Sequence, residues 1–420
     1  MRRVGKSRIP ELVLNGRLYS WPVWPIVVIC IDGGAPGYIE KGLKEDLLPN
    51  IKKFREEGFY ALADGAMPSF TNPNNLSIVT GSPPSVHGIS GNFFLDPETG
   101  AEVMMNDPAF LRSETILARV SQKDGKVAVI TAKDKLRKML GHNLREGICF
   151  SSEKSDQCTR EENGIEKVLD YMGLPLPDVY SAELSLFVVK AGVKILERER
   201  PDIMYLSLTD YIQHKFAPGA KESNEFYHSL DEEFGKLADL GAIVALTADH
   251  GMNDKANPDG SPKVIFLQDL LDQKFGKNRS RVICPITDPY VVHHGSLGSF
   301  VTVFGFGRVP SRDMIDYIQT LSGIEKVMER EEACSKFELP LDRIGDVVVT
   351  GDAGTVIGSS PEEHDLSGLA DARLRSHGGL AEQEVPFILS RPLNDQYAAI
   401  AEAKRLRNFD LFEFAINGTF

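Results

Sequence analysis

Asp249-His250-Gly251 closes the run Ala242-Ile243-Val244-Ala245-Leu246-Thr247-Ala248. A run of small and branched residues of this kind reads as a buried strand, usually in a parallel sheet. An acid and an imidazole at its carboxyl end then stand on the rim where open α/β sheets bind ligands. Taken alone, the pair is equally well a helix N-cap followed by a surface histidine. Asp210-Tyr211-Ile212-Gln213-His214 follows another apolar run, Ile203–Leu208. Its acid and imidazole, four apart, share one helical face and can close on a single ion. Asp32 ends the run Pro25–Ile31, and Gly33-Gly34 lets the chain turn tightly beside it. Ser376-His377-Gly378-Gly379 lies far from any apolar periodic stretch. Each has an ordinary explanation: a surface pair, a turn residue, a solvated loop. Three strands that each end in Asp, two of them with a nearby His, form a metal-site pattern.

Three carboxylates and three imidazoles are too many for one tetrahedral catalytic ion and suit two neighbouring ions. Nitrogen and oxygen donors without thiolates favour Zn²⁺, with Mn²⁺ or Fe as alternatives. A two-metal site suits in-line displacement at phosphorus. Thr71 is the candidate nucleophile. It is expected just ahead of an Asn-Pro turn and of a helical pattern over Asn74–Val79. Free N–H groups and the macrodipole at such a helix start favour an alkoxide and a phosphoryl group. Ligation by a metal would make its hydroxyl a nucleophile at neutral pH. Without metal ligands nearby in the fold, Thr71 is an ordinary N-cap.

With Asp32, Thr71-Asn72-Pro73-Asn74, Val79-Thr80-Gly81, Val86-His87-Gly88-Ile89-Ser90-Gly91-Asn92 and the three later metal motifs in this order, the chain resembles the alkaline phosphatase superfamily. Within it, the likeness is to the branch holding nucleotide pyrophosphatases/phosphodiesterases and phosphonoacetate hydrolase, over residues 25–255 and 370–395. The resemblance implies an α/β fold, with a mostly parallel sheet sandwiched by helices as an alkaline-phosphatase-like core. It implies one ion on Asp32, Thr71, Asp249 and His250 and a second on Asp210, His214 and His377. It also implies Thr71 as nucleophile, Asn92 as donor to a non-bridging phosphoryl oxygen, and a structural His87.

Within the branch, Ile130-Thr131-Ala132-Lys133-Asp134-Lys135 discriminates. Two lysines at alternate positions of an extended chain point the same way. Compact positive charge suits a small dianion that carries a carboxylate, whereas a nucleotide diester asks for an aromatic slot. The other explanation is a solvated loop, since Arg137 and Lys138 follow. With the resemblance, the lysines point to phosphonoacetate hydrolase: phosphonoacetate and water would give acetate and phosphate through a phosphothreonine. A phosphodiesterase or nucleotide pyrophosphatase is the second reading, and a non-catalytic metal-binding protein the third.

The 420 residues carry a formal net charge of −13. That balance argues against nucleic acid or anionic membrane as partner. A small anionic phosphonate must then be met by locally reversed charge; a homodimer is an open option. Five scattered cysteines without Cys-x-x-Cys spacing suit a reducing cytoplasm. The short apolar run near Pro25 contains Asp32 at its end, so export is not expected, and no stretch approaches transmembrane length.

Strand patterns at 25–31, 127–131, 203–208 and 242–248 alternate with helical ones at 47–57, 111–123, 183–198 and 222–238, which indicates a sheet covered on both faces. Residues 1–24 are expected as a peripheral arm whose Trp21 and Trp24 pack on the core. Because His250 and His377 must converge, the interval between them is expected as an inserted small α+β cap. The division is a core of 1–257 and 369–420 and a cap of 258–368, with strand-like pieces at 263–267, 290–293, 299–304 and 346–350. His293-His294 and Glu362-Glu363-His364-Asp365 are expected as cap packing and a charged exit loop.

Overall fold

The structure is a computed structural model that describes residues 11–287, 295–367 and 373–420. Its centre is an eight-stranded sheet. In chain order the elements that position the site are β1 (Ile26–Cys30), β2 (Phe59–Asp64), α1 (Thr71–Thr80), β3 (Val127–Thr131), α2 (Asp134–Leu140), β4 (Ile148–Ser151), α3 (Glu183–Glu199), β5 (Ile203–Ser207), α4 (Tyr211–Lys215), α5 (Lys221–Asp239), β6 (Ile243–Thr247), β7 (Glu384–Leu389) and β8 (Leu406–Arg407). Across the sheet the order is β8-β2-β7-β6-β1-β5-β3-β4. All pairings are parallel except those of β7, which runs antiparallel to both β6 and β2.

Strand alternation explains why two cores form. Ile26, Val28 and Cys30 pack into one cluster with residues of α1, α2 and Leu411–Phe414. Val27, Ile29 and Ile31 face the other side, against α3, α5 and Tyr38–Phe54. With apolar residues on both faces, β1, β3, β5 and β6 are buried along their whole length.

A four-stranded antiparallel sheet of Arg281–Ile283, Phe300–Phe304, Val347–Gly351 and Ile324–Glu329 stands beside the main one. Its core takes in Met67 and Phe70, the residues that lead into α1. The strand-like piece at 290–293 and His293-His294 lie outside the described residues.

Several expectations need correction. Residues 111–123 are helical only over Ile116–Ser121. β2, on which nothing was read from the sequence, pairs along its length with β7. The arm is partly woven in: Leu12, Leu14 and Tyr19 join the core and Trp21 packs on it, whereas Trp24 is exposed under the Arg391 guanidinium. His364 is buried, with Nε2 accepting from the Ser359 N–H at 2.9 Å and Nδ1 donating to the Gly295 carbonyl at 2.8 Å. Those bonds make it a packing histidine, while Glu363 pairs with Arg281.

Candidate active site

β1, β5 and β6 are adjacent, and Asp32, Asp210 and Asp249 follow their carboxyl ends within a few residues. Parallel register brings the three acids together. Gly33 takes φ +66°, and a Cβ there would meet Asp210 and Gln213 Cβ atoms at 3.2 and 3.1 Å, so the tight turn beside Asp32 requires glycine.

Asp210 is the N-cap of the five-residue helix α4, which returns His214 beside it: His214 Nε2 lies 2.8 Å from Asp210 Oδ2. His377 Nε2 is 3.9 Å from the same oxygen, and Asp210, His214 and His377 offer ligand atoms all within 4.8 Å of one another. Asp32, Asp210 and His250 form a second such group. Asp210 therefore belongs to both groups. The His250 and His377 rings stack at 3.6 Å and 7°.

The imidazole tautomers follow from their partners. Nδ1 of His214, His250 and His377 faces the carbonyl oxygen of Arg375, Gly251 and Ser69 at 2.7, 2.9 and 2.7 Å. A carbonyl only accepts, so each Nδ1 carries a proton, and each Nε2 turns to the acids. Asp249 accepts from the Gly33 and His250 N–H groups at 3.2 and 3.0 Å and from the Asn75 amide at 3.2 Å.

These residues fit divalent ions. Asp32 Oδ1 and His250 Nε2 are buried without a hydrogen-bond partner among the described residues, yet face each other at 3.3 Å. Two ligands on one tetrahedral ion with bonds of about 2.0–2.1 Å sit about 3.3–3.4 Å apart. Burial, then the neighbouring Asp210 and Asp249 charges, push the Asp32 carboxyl well above its usual range. Burial, then His250 and His214, hold His377 well below its ordinary value, in the neutral form a metal needs. Buried acids crowded this way are stabilised by cations.

Thr71 opens α1 rather than preceding an Asn-Pro turn, and Phe70 is the N-cap. Pro73 fits within the first turn because its missing N–H has no helical partner there. The Asn72 N–H donates to Asn92 Oδ1 at 3.1 Å, which fixes the Asn92 amide with its NH₂ as the remaining group to offer. Lys133 is the N-cap of α2 and Lys135 lies in its first turn, so the extended pairing expected for them is replaced by a strand-to-helix corner. Both still line the same cleft as Asp32, Thr71, Asn92 and His377, a space of about 130 Å³. A larger cleft of about 950 Å³ lies by the amino ends of β3 and β4, where Arg145–Asp124, Arg160–Glu166 and Arg137–Glu162 pair among themselves.

Asn75 went unnoticed in the sequence. Its Nδ2 donates to the Thr71 carbonyl at 3.1 Å and to Asp249, while its Oδ1 accepts from Tyr205 and Ser207 hydroxyls at 2.7 and 2.9 Å. The available signal was spacing: one turn after Thr71, it shares that residue's helix face. His87 is the opposite of the cluster histidines, with Nδ1 accepting from the Ile89 N–H at 3.1 Å and Nε2 donating to Ser77 at 2.9 Å. Burial pushes it down to about 3.

The family model described as type I phosphodiesterase / nucleotide pyrophosphatase matches residues 26–379. A solved phosphonoacetate hydrolase from Sinorhizobium meliloti 1021, known in complex with phosphonoacetate and with phosphonoformate, is 51% identical; the match covers 98% of this chain and 99% of that one, with TM-score 0.93. Murine ectonucleotide pyrophosphatase / phosphodiesterase 5 shares the fold at 16% identity and TM-score 0.63, covering 94% and 96% of the two chains. An uncharacterised pyrophosphatase/phosphodiesterase of Schizosaccharomyces pombe is 24% identical over 59% of this chain and 48% of its own. The chain thus spans about half the length of that curated relative. No helix among the described residues is long and apolar enough to cross a membrane.

Proposed function

This chain belongs to the type I phosphodiesterase / nucleotide pyrophosphatase family and is a hydrolase acting on phosphorus compounds; from that premise we propose that it cleaves the carbon–phosphorus bond of phosphonoacetate to give acetate and phosphate. The observation that carries this reading is the cleft. Its roughly 130 Å³ is lined by Thr71, Lys133 and Lys135 together. Sites for drug-sized ligands run to about 300–1,000 Å³, so the space favours a substrate of few atoms over a nucleotide. The relative solved with phosphonoacetate supports the same choice.

Asp32, Thr71, Asp249 and His250 would hold one ion and Asp210, His214 and His377 the other, with Zn²⁺ the identity that best suits these donors. When bound, the ions supply positive charge that lowers the hydroxyl pKa of Thr71 and offsets the charge of the phosphoryl oxygens. Thr71 Oγ forms a bond to phosphorus in line with the departing carbon, while the Asn92 NH₂ donates to a non-bridging oxygen. The C–P electron pair moves onto the methylene carbon and delocalises into the adjacent carboxylate. Lys133 and Lys135 hold that carboxylate and stabilise the charge as it develops. Thr71 gives up its hydroxyl proton to solvent, solvent protonates the carbon to give acetate, and water then cleaves the phosphothreonine to phosphate and restores the hydroxyl. The lysines also answer the approach problem set by a net charge of −13, since they reverse the sign locally.

The test is a side-by-side assay of phosphonoacetate and a nitrophenyl phosphodiester. We expect the larger kcat/KM on phosphonoacetate; preference for the diester would replace this reading with a phosphodiesterase.

A further inference from the structure

Lys255 and Glu382 are both fully buried, with Lys255 Nζ 2.8 Å from Glu382 Oε1. Nothing in the chemistry above uses either charge. Taking two ions out of water costs several kcal/mol each in practice, and a packed apolar pair of the same size is often as stable. The pair therefore calls for a reason other than stability, and its remaining bonds supply one.

Glu382 Oε1 also accepts from the Asn253 amide at 2.6 Å, and Oε2 accepts from the Gly379 N–H at 3.0 Å. The Glu382 backbone carbonyl accepts from the Gly251 N–H at 2.7 Å. One residue thus bonds the chain two positions after His377 and one position after His250. The same two segments are already joined by the pairing of Asn253 with Ser376 and Asp254 with Arg375, and by the Lys255 N–H on the Leu374 carbonyl at 2.8 Å. The glycines between His377 and Glu382 are packed closely: Gly378 takes φ +117°, a Cβ there would lie 2.4 Å from the Phe70 ring, and the Gly378 and Gly379 carbonyls accept from the Ser69 N–H and hydroxyl at 3.2 and 2.9 Å, which leaves the Gly379 N–H to Glu382.

We propose that the Lys255–Glu382 pair is a positioning clasp: Lys255 supplies the countercharge that lets the Glu382 carboxylate stay buried, and the carboxylate holds the Gly379 N–H so that His377 meets His214 and Asp210. The proposal rests on reading His377 as a metal ligand. A carboxylate serves here because it can take three donors at once, from Lys255, Asn253 and Gly379.

Two variants separate positioning from stability. Lys255→Met/Glu382→Gln and Lys255→Met/Glu382→Leu both remove the buried charges, but only the glutamine keeps an oxygen for the Gly379 N–H. The readout is Zn²⁺ affinity of the purified protein by chelator competition, with melting temperature measured beside it. The leucine variant should bind one of two ions about 10–100-fold more weakly, and the glutamine variant within about threefold of wild type, the range seen when groups that orient metal ligands are lost or kept. If leucine does not fold, Lys255→Met/Glu382→Ala takes its place. Equal affinities in both variants, whether retained or lost, would overturn the clasp. A wild type that binds only one ion would instead overturn the two-metal reading, and the clasp with it.

Discussion

The site has two unlike sides. On one, Asp32, Asp249 and His250 are buried at the ends of adjacent parallel strands; Asp249 accepts from the Gly33 N–H and the Asn75 amide, and His250 Nδ1 donates to the Gly251 carbonyl. On the other, Lys133 and Lys135 stand at a strand-to-helix corner near the sheet edge, where Lys133 lies 5.6 Å over the Tyr180 ring and Tyr180 is exposed. The first side is fixed by the fold itself; the second can change without disturbing the sheet. The difference teaches where reaction type and substrate choice would reside on the proposed reading: the buried side would handle phosphorus, and the lysine corner would select what is attached to it.

That division can be broken most severely at Thr71. Thr71→Ala should lower turnover by several orders of magnitude on phosphonoacetate and on any phosphodiester alike, with both ions still bound, because the nucleophile is gone. Thr71→Ser should keep part of the activity. Metal content and kcat measured together check both; full activity in the alanine variant would make water, not Thr71, the attacking group.

The lysine corner should respond more gently and selectively. Replacing Lys133 or Lys135 with Ala removes charge-assisted bonds worth about 1.5–3 kcal/mol each, roughly a ten- to hundredfold loss in kcat/KM on phosphonoacetate. A phosphodiester without a carboxylate should change little. Equal losses on both substrates would place the lysines on the phosphoryl group and dissolve the contrast.

On activity His87 gives the smallest effect, and a control read in stability, since it is a buried imidazole that does not line the cleft. Its folded value of about 3 lies below the ordinary 6.5. The unfolded chain therefore takes up a proton that the native one refuses, and the stability this neutral imidazole contributes, intact above pH 6.5, is lost as pH falls from 6.5 towards 3. The loss amounts to about 1.4 kcal/mol per pH unit. Denaturation midpoints of His87→Gln should fall less steeply over that range; parallel slopes would show that His87 does not titrate on unfolding.

The sequence made the buried side legible because strand ends and ligand types leave a local signature: a run of branched residues, then an acid, then a histidine. β1, β3, β5 and β6 were readable for the same reason. β2 was not, since Phe59–Asp64 alternates only weakly and gains its place by pairing with β7, more than three hundred residues away in the chain. The lysine corner was half legible: both lysines do line the cleft, but the helix that turns Lys135 begins at Asp134, and a strand pattern says little about where it stops. The carbonyls of Ser69, Gly251 and Arg375 that set the imidazole tautomers were not legible at all, because backbone atoms carry no residue type. Lys255 and Glu382 were hidden for a related reason, as charged residues in sequence read as surface until burial is known.

The central claim is that this chain breaks a carbon–phosphorus bond. Phosphorus NMR of phosphonoacetate incubated with the metal-loaded protein tests it most directly, with acetate quantified in the same tube. The account predicts that the phosphonate signal gives way to inorganic phosphate with one acetate per phosphate, and that a chelator stops the conversion. A phosphonate signal that stays constant while the same sample hydrolyses a phosphodiester would contradict it.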